Sequence, residues 1–177
     1  MEPILVTASA AASWVLVISA LSHALSRNLK RALRDQAVVP AWLQAPVATL
    51  TLVLEASLGA TALWSIWSSN SAILPVVLVL EALLFTGYAA YLVMLLPKGP
   101  SVPCGCSTTG IPASRLAVGR NLTLALLAVV GASNPQPIVG ASSDVLAVGT
   151  AAGLSFAVLL WILPDALATF EAEVADE

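Results

Sequence analysis

Charge is what this sequence has least of. Of its 177 residues only 10% are Asp, Glu, Lys or Arg, against about 25% in an ordinary soluble domain. That is too little to wet a globular surface, and it excludes a disordered chain, a coiled coil and an ordinary cytoplasmic enzyme. Seven Lys and Arg cannot build a phosphate-contacting face, so no nucleic-acid partner is expected. One His and two Cys together supply three metal ligands, one short of a closed structural zinc site, so no metal is assigned. Two cysteines allow at most one internal bridge, which excludes a disulfide scaffold.

Apolar residues are present in abundance, at 59% of the chain, with a mean hydropathy of +0.94. A helix crossing a hydrocarbon core of roughly 30 Å needs about 20 of them in a run. Five stretches meet or approach that length: Pro3 to Leu25, Trp42 to Trp67 with Pro46 near its start, Ile73 to Leu96, Leu116 to Ala132, and Val145 to Leu163. Pro135 and Pro137 separate the last two, which favours two spans over one long one. Backbone groups in lipid must pair within the segment, and no alternating strand pattern suggests a barrel. The expected fold is all-α, a polytopic transmembrane helix bundle forming one domain over residues 1–177. It has five spans, or four if the fourth stretch is re-entrant. The first stretch has no basic residues before it and is long enough to span, so it reads as a helix rather than a cleaved signal.

The basic residues fall in two places. Arg27, Lys30, Arg31 and Arg34 follow the first stretch, and Lys98, Arg115 and Arg120 lie between the third and fourth. Five spans with the N-terminus outside put all of them in the cytoplasm, as the positive-inside rule requires. The acidic tail from Glu171 to Glu177 then also lies inside. Trp14, Trp42, Trp64, Trp67 and Trp161 mostly sit near span ends and read as an interfacial belt. The small residues Ala56, Gly59 and Ala60, and Gly149, Ala152 and Gly153, would let helix backbones approach closely.

The irregular segment over residues 97–115, on the cytoplasmic side in this topology, holds both cysteines as Cys104-Gly105-Cys106. A bridge within Cys-x-Cys closes a very small ring; strain makes such a bond labile and suited to thiol–disulfide exchange. Arg115, Arg120 and the following helix N-terminus would favour the thiolate, whereas burial in lipid would oppose it. The bland alternative is two inert thiols in a loop. His23, near the inner end of the first span, reads as a packing side chain or as a proton partner for a thiol.

Glu55 and Glu81 lie within the second and third spans, where a carboxyl group is costly and a functional candidate by default. On antiparallel helices they would lie at similar depth, about 16 and 12 Å from the outer ends. Brought together, they would share a proton. Alternatively, each is tied to hydroxyls on neighbouring helices, such as Thr51, Thr86 or Tyr88. The functional version is a proton relay or a polar wall for a quinone-like cofactor.

Cys104-Gly-Cys106, followed by Arg120-Asn121 opening an apolar helix, resembles the MauE family of methylamine-utilisation membrane proteins, within the wider DoxX-like group. The family loop reads approximately Cys-x-Cys-Phe-Gly, with Arg-Asn about fifteen residues on. Ser19-Ala-Leu-Ser22 and Glu55-x-x-x-Gly59 are similar to patterns of that group. Ser107-Thr108 departs from the Phe-Gly pair, and His23 stands near where the group often has Lys. The resemblance implies a redox-associated protein of the bacterial cytoplasmic membrane. Such a protein would support disulfide formation in, or maturation of, a partner such as methylamine dehydrogenase, through Cys104 and Cys106 and a thiol-bearing or thioredoxin-like protein. Exported disulfides form outside, so cysteines on the cytoplasmic side require a carrier across the bundle, a loop that dips inward, or the opposite orientation. A non-catalytic assembly scaffold and a small transporter subunit are the competing readings, the second weakened by the lack of inverted repeats.

Overall fold

In the computed structural model, which describes residues 2–26, 29–98 and 114–175, each apolar stretch is one helix. The spans are α1 (Glu2–Ser26), α3 (Ala41–Trp67), α4 (Ile73–Leu95), α5 (Arg115–Ser133) and α7 (Ser143–Ala175). Five helices are long and apolar enough to cross a membrane, with α7 contributing Ser143–Leu163. The fourth stretch is therefore a full helix, not a re-entrant one. Two short helices complete the order: α2 (Leu29–Gln36) and α6 (Pro135–Val139). A 3-10 turn over Leu96–Lys98 extends α4 into the start of the expected loop.

Sequence spacing does not announce α2, because its eight residues, Leu-Lys-Arg-Ala-Leu-Arg-Asp-Gln, are mostly polar. They form a sharply two-sided helix. Ala32, Leu33 and Gln36 are buried, while Lys30, Arg31 and Arg34 are exposed. The helix α7 also runs twelve residues past the expected Leu163.

The hub is α1, the most buried span, which packs against α7, α3 and α5. Its middle is a run of small residues, and Ser9, Ala10, Ala11, Ala12 and Ser13 are all fully buried. Small side chains let helix backbones close in, and in lipid that contact replaces the hydrophobic drive available in water. Three neighbours answer with glycine. A Cβ on Gly153 of α7 would stand 2.9 Å from Ala11 N and from Thr7 O. One on Gly59 of α3 would stand 2.8 Å from Ser13 O. One on Gly131 of α5 would collide with Ser9 Oγ. Gly149 makes a similar approach to Val6. Ala56, Ala60 and Ala152, expected in the same role, are exposed instead and face outward.

Two main apolar clusters follow along the hub. Near one end, Val6, Ala10, Ile66, Leu74, Leu78 and Ile138 meet. In the middle, Leu16, Phe85, Leu124, Ala128 and Ala157 meet. A third, small cluster of Leu92, Leu95 and Ala117 joins the end of α4 to the start of α5. Trp42, Trp64 and Trp67 are exposed at the two ends of α3, as an interfacial belt requires, whereas Trp14 packs between the two main clusters.

The glycine contacts give a direct expectation. Gly153→Ala should cost about 1–3 kcal/mol, because the methyl meets main chain that cannot move aside. Gly87→Ala, with nothing within 4 Å of the added carbon, should be neutral or slightly stabilising. Unfolding of both variants by SDS titration in bicelles measures the difference.

Candidate functional site

The helix ends that carry the basic residues enclose a cavity of about 160 Å³. Its floor is Val15, Leu16 and Ser19 of α1 and Phe85 of α4. Its polar lining comes from His23, Glu55, Tyr88 and Tyr91 together with Arg120 and Asn121. Leu29, Leu33 and Gln36 bring α2 across it, and Trp161 of α7 closes the wall. The space is apolar with a few converging polar groups, the usual make-up of a small-molecule site.

Glu55 is the centre of the polar part. It is 1% exposed, so its carboxyl must be satisfied from within. Ser19 Oγ of α1 donates to Oε1 at 2.9 Å and Tyr88 OH of α4 donates to the same oxygen at 2.8 Å. His23 Nε2 lies 3.8 Å from Oε2. One side chain of α3 thus joins α1 and α4. Tyr91, one turn beyond Tyr88, donates to Gln36 Oε1 at 2.6 Å and ties α2 to the bundle.

Arg120 and Asn121 open the buried face of α5. Ser114 caps this helix, its Oγ accepting from Ala117 N at 3.2 Å. Asn121 Nδ2 donates to Ala117 O at 2.8 Å, which fixes the amide against its own helix. Arg120 is only 9% exposed. Its guanidinium lies 5.5 Å from the centre of the Trp161 ring, within cation–π range. Among the described residues its Nε has no hydrogen-bond partner. Trp161, read from sequence as belt, is therefore a wall of the cavity.

Of the residues singled out from sequence, His23, Glu55, Arg120 and Asn121 share this one cavity. Arg115 does not reach it and is exposed in the first turn of α5. Glu81 also lies elsewhere. It is fully buried, and Ser13 Oγ of α1 donates to its Oε2 at 3.2 Å. Ser13 and Ser19, the partners of the two acids, are six residues apart, about 9 Å along α1. The acids are thus held at different levels by separate hydroxyls. Of the hydroxyls expected as partners, Tyr88 serves Glu55, while Thr86 bonds Ala82 O of its own helix. Ser13 and Ser19 were not foreseen as partners, nor Tyr91, Gln36 and Trp161 as site residues. The clue available was Tyr88 and Tyr91 at i and i+3, the spacing of one helix face.

Cys104 and Cys106 lie outside the described residues. Their segment is anchored by the end of α4 and the first turn of α5, which pack together. Leu95, three residues before Lys98, and Ala117, three after Ser114, belong to the third cluster together with Leu92, which itself lines the cavity.

Residues 1–134 match the family model described as methylamine utilisation protein MauE. No curated protein and no solved structure matches the chain. The matched stretch carries α1 to α5. Among the described residues that line the cavity, Trp161 alone comes from beyond it.

The Glu55 node predicts measurable coupling. Ser19→Ala and Tyr88→Phe should each cost about 0.5–2 kcal/mol. Their effects should be less than additive, since both hydroxyls serve one oxygen. Thr86→Ala, removing a bond internal to α4, should change stability by less than about 0.5 kcal/mol. A double-mutant cycle in bicelles checks this.

Proposed function

Because the chain belongs to the MauE family and is an integral membrane protein, we propose that it exchanges disulfides with a thiol-bearing partner through Cys104 and Cys106. The observation that carries this reading is the placement of the anchors. The only two thiols of the chain lie between α4 and α5, whose facing ends pack together through Leu92, Leu95 and Ala117 next to the largely apolar cavity.

The chemistry is a two-step transfer. A partner thiolate attacks one sulfur of the Cys104–Cys106 bond, which breaks and releases the other sulfur as thiolate. The partner's second thiolate then attacks the mixed disulfide. A new S–S bond forms in the partner, and Cys104 and Cys106 leave as the dithiol with the two protons the partner gave up. Arg115 and Arg120 lie on α5, just after the segment, and favour the thiolate form. Glu55, with His23, Tyr88 and Ser19, is the group that handles protons. Glu81 serves the packing of α4 on α1.

The grouping of the basic residues supports an N-terminus outside and cysteines at the cytoplasmic face of a bacterial membrane. The immediate partner is then a thioredoxin-like protein on that side, upstream of any exported target such as methylamine dehydrogenase.

Two outcomes are expected. Cys106→Ala or Cys104→Ala should accumulate a reductant-sensitive adduct with a partner on non-reducing gels. If neither traps an adduct and both support full maturation of the exported target, the exchange reading is overturned. A membrane-impermeant thiol reagent should label the reduced wild-type protein only after cells are permeabilised. Labelling of intact cells would reverse the orientation.

A further inference from the structure

We propose that the cavity at the basic end binds the ring of a quinone, with Arg120 as the hydrogen-bond donor to one ring carbonyl and Trp161 and Phe85 beside the ring. The inference rests on the exchange reading above and supplies its electron acceptor.

Size comes first. A void of about 150 Å³ lined by apolar side chains is enough for benzene, and this cavity is about 160 Å³. One six-membered ring fits and a folded peptide does not. The lining comes second. Phe85 and Trp161 are both among its lining residues, and aromatic neighbours suit a planar ring.

The third argument is Arg120. A charged donor buried without an acceptor costs more than a neutral one, of order 1–3 kcal/mol or above. In this structure Arg120 is more than nine-tenths buried, borders the cavity, and has an Nε without a partner among the described residues. A ligand oxygen in the cavity would give the guanidinium an acceptor. A carboxylate or phosphate ligand would have to share the space with the carboxyl of Glu55. A neutral carbonyl meets Arg120 without that opposition. A quinone carries two such oxygens on opposite sides of its ring, so one can face Arg120 while the other faces the Glu55, His23 and Tyr88 side.

The reaction balances. The dithiol of Cys104 and Cys106 loses two electrons and two protons and forms the S–S bond. The quinone gains two electrons and two protons and becomes the hydroquinone. The protons pass between thiols and quinone by way of water at the membrane face and the Glu55–His23 group, so no other oxidant is required. The disulfide so formed is the one spent in the exchange step.

The test uses the full chain in nanodiscs titrated with decylubiquinone, read by quenching of tryptophan fluorescence. Wild type and the Cys104→Ala/Cys106→Ala double variant should bind with equal, saturable affinity. Arg120→Gln should weaken binding about tenfold, the effect expected for losing a charge-assisted hydrogen bond. Val47→Trp, which fills the cavity from α3, should abolish binding and decides the matter if Arg120→Gln does not fold. Reduced wild type should convert one quinone per dithiol to quinol, and the double variant none. Equal binding by wild type and Val47→Trp overturns the site. So does displacement of the quinone by oleate at equal concentration, which would make it an anion site. If quinone binds but neither cysteine variant traps a partner adduct and both support full maturation, the exchange reading fails and the quinone site stands. If adducts form but no quinone binds, the reverse is true.

Discussion

A helix can be approached closely only where its side chains are small, and the whole bundle is organised around that limit. The stretch Ser9 to Ser13 of α1 offers almost nothing but backbone, methyls and hydroxyls. Gly59, Gly131 and Gly153 let three other helices come up against it. Once α1, α3 and α5 are held at that distance, the serines of α1 are within reach of acids on their neighbours. Ser19 reaches Glu55 and Ser13 reaches Glu81. The polar interior is a consequence of the close packing, because a carboxyl in lipid survives only where a donor is already in place.

The same geometry divides the polar interior into two levels along one axis. At the level of Ser13, Glu81 bridges α4 to α1, and neither residue lines the cavity. At the level of Ser19 and beyond, the helices part, aromatic and polar side chains replace methyls, and α2 crosses the opening. The two acids look equivalent in sequence and differ in what surrounds them. Arg120 belongs with the second level. It extends under Trp161 rather than toward the outside, which takes a basic residue away from the surface where the positive-inside argument counts it.

The sequence was legible wherever one physical rule dominated. Hydropathy located the five spans to within a residue or two at most ends, since an apolar run has no alternative in lipid. The grouping of His23, Glu55, Arg120 and Asn121 could be nominated one residue at a time, because polar groups inside spans stand out. Their convergence was not legible. It depends on the rotation of five helices about their axes, which small-residue contacts decide and which no single stretch encodes. The helix α2 escaped for a related reason: eight mostly polar residues look like a connection until the bundle gives Leu33 and Gln36 something to cover. Trp161 looked like belt because it lies near a span end, and only the neighbouring guanidinium distinguishes it.

Trp42 and Trp64 are exposed near opposite ends of α3 and are 22 residues apart, about 33 Å along the axis. That is close to the thickness of the hydrocarbon layer, so this outermost helix works as a depth gauge pinned at both water boundaries. A thinner bilayer makes such a helix lean, and α3 is also the helix that carries Glu55. The lean therefore reaches the carboxyl's grip on its tyrosine and serine partners, and the state of the lipid becomes a mechanical input to the cavity.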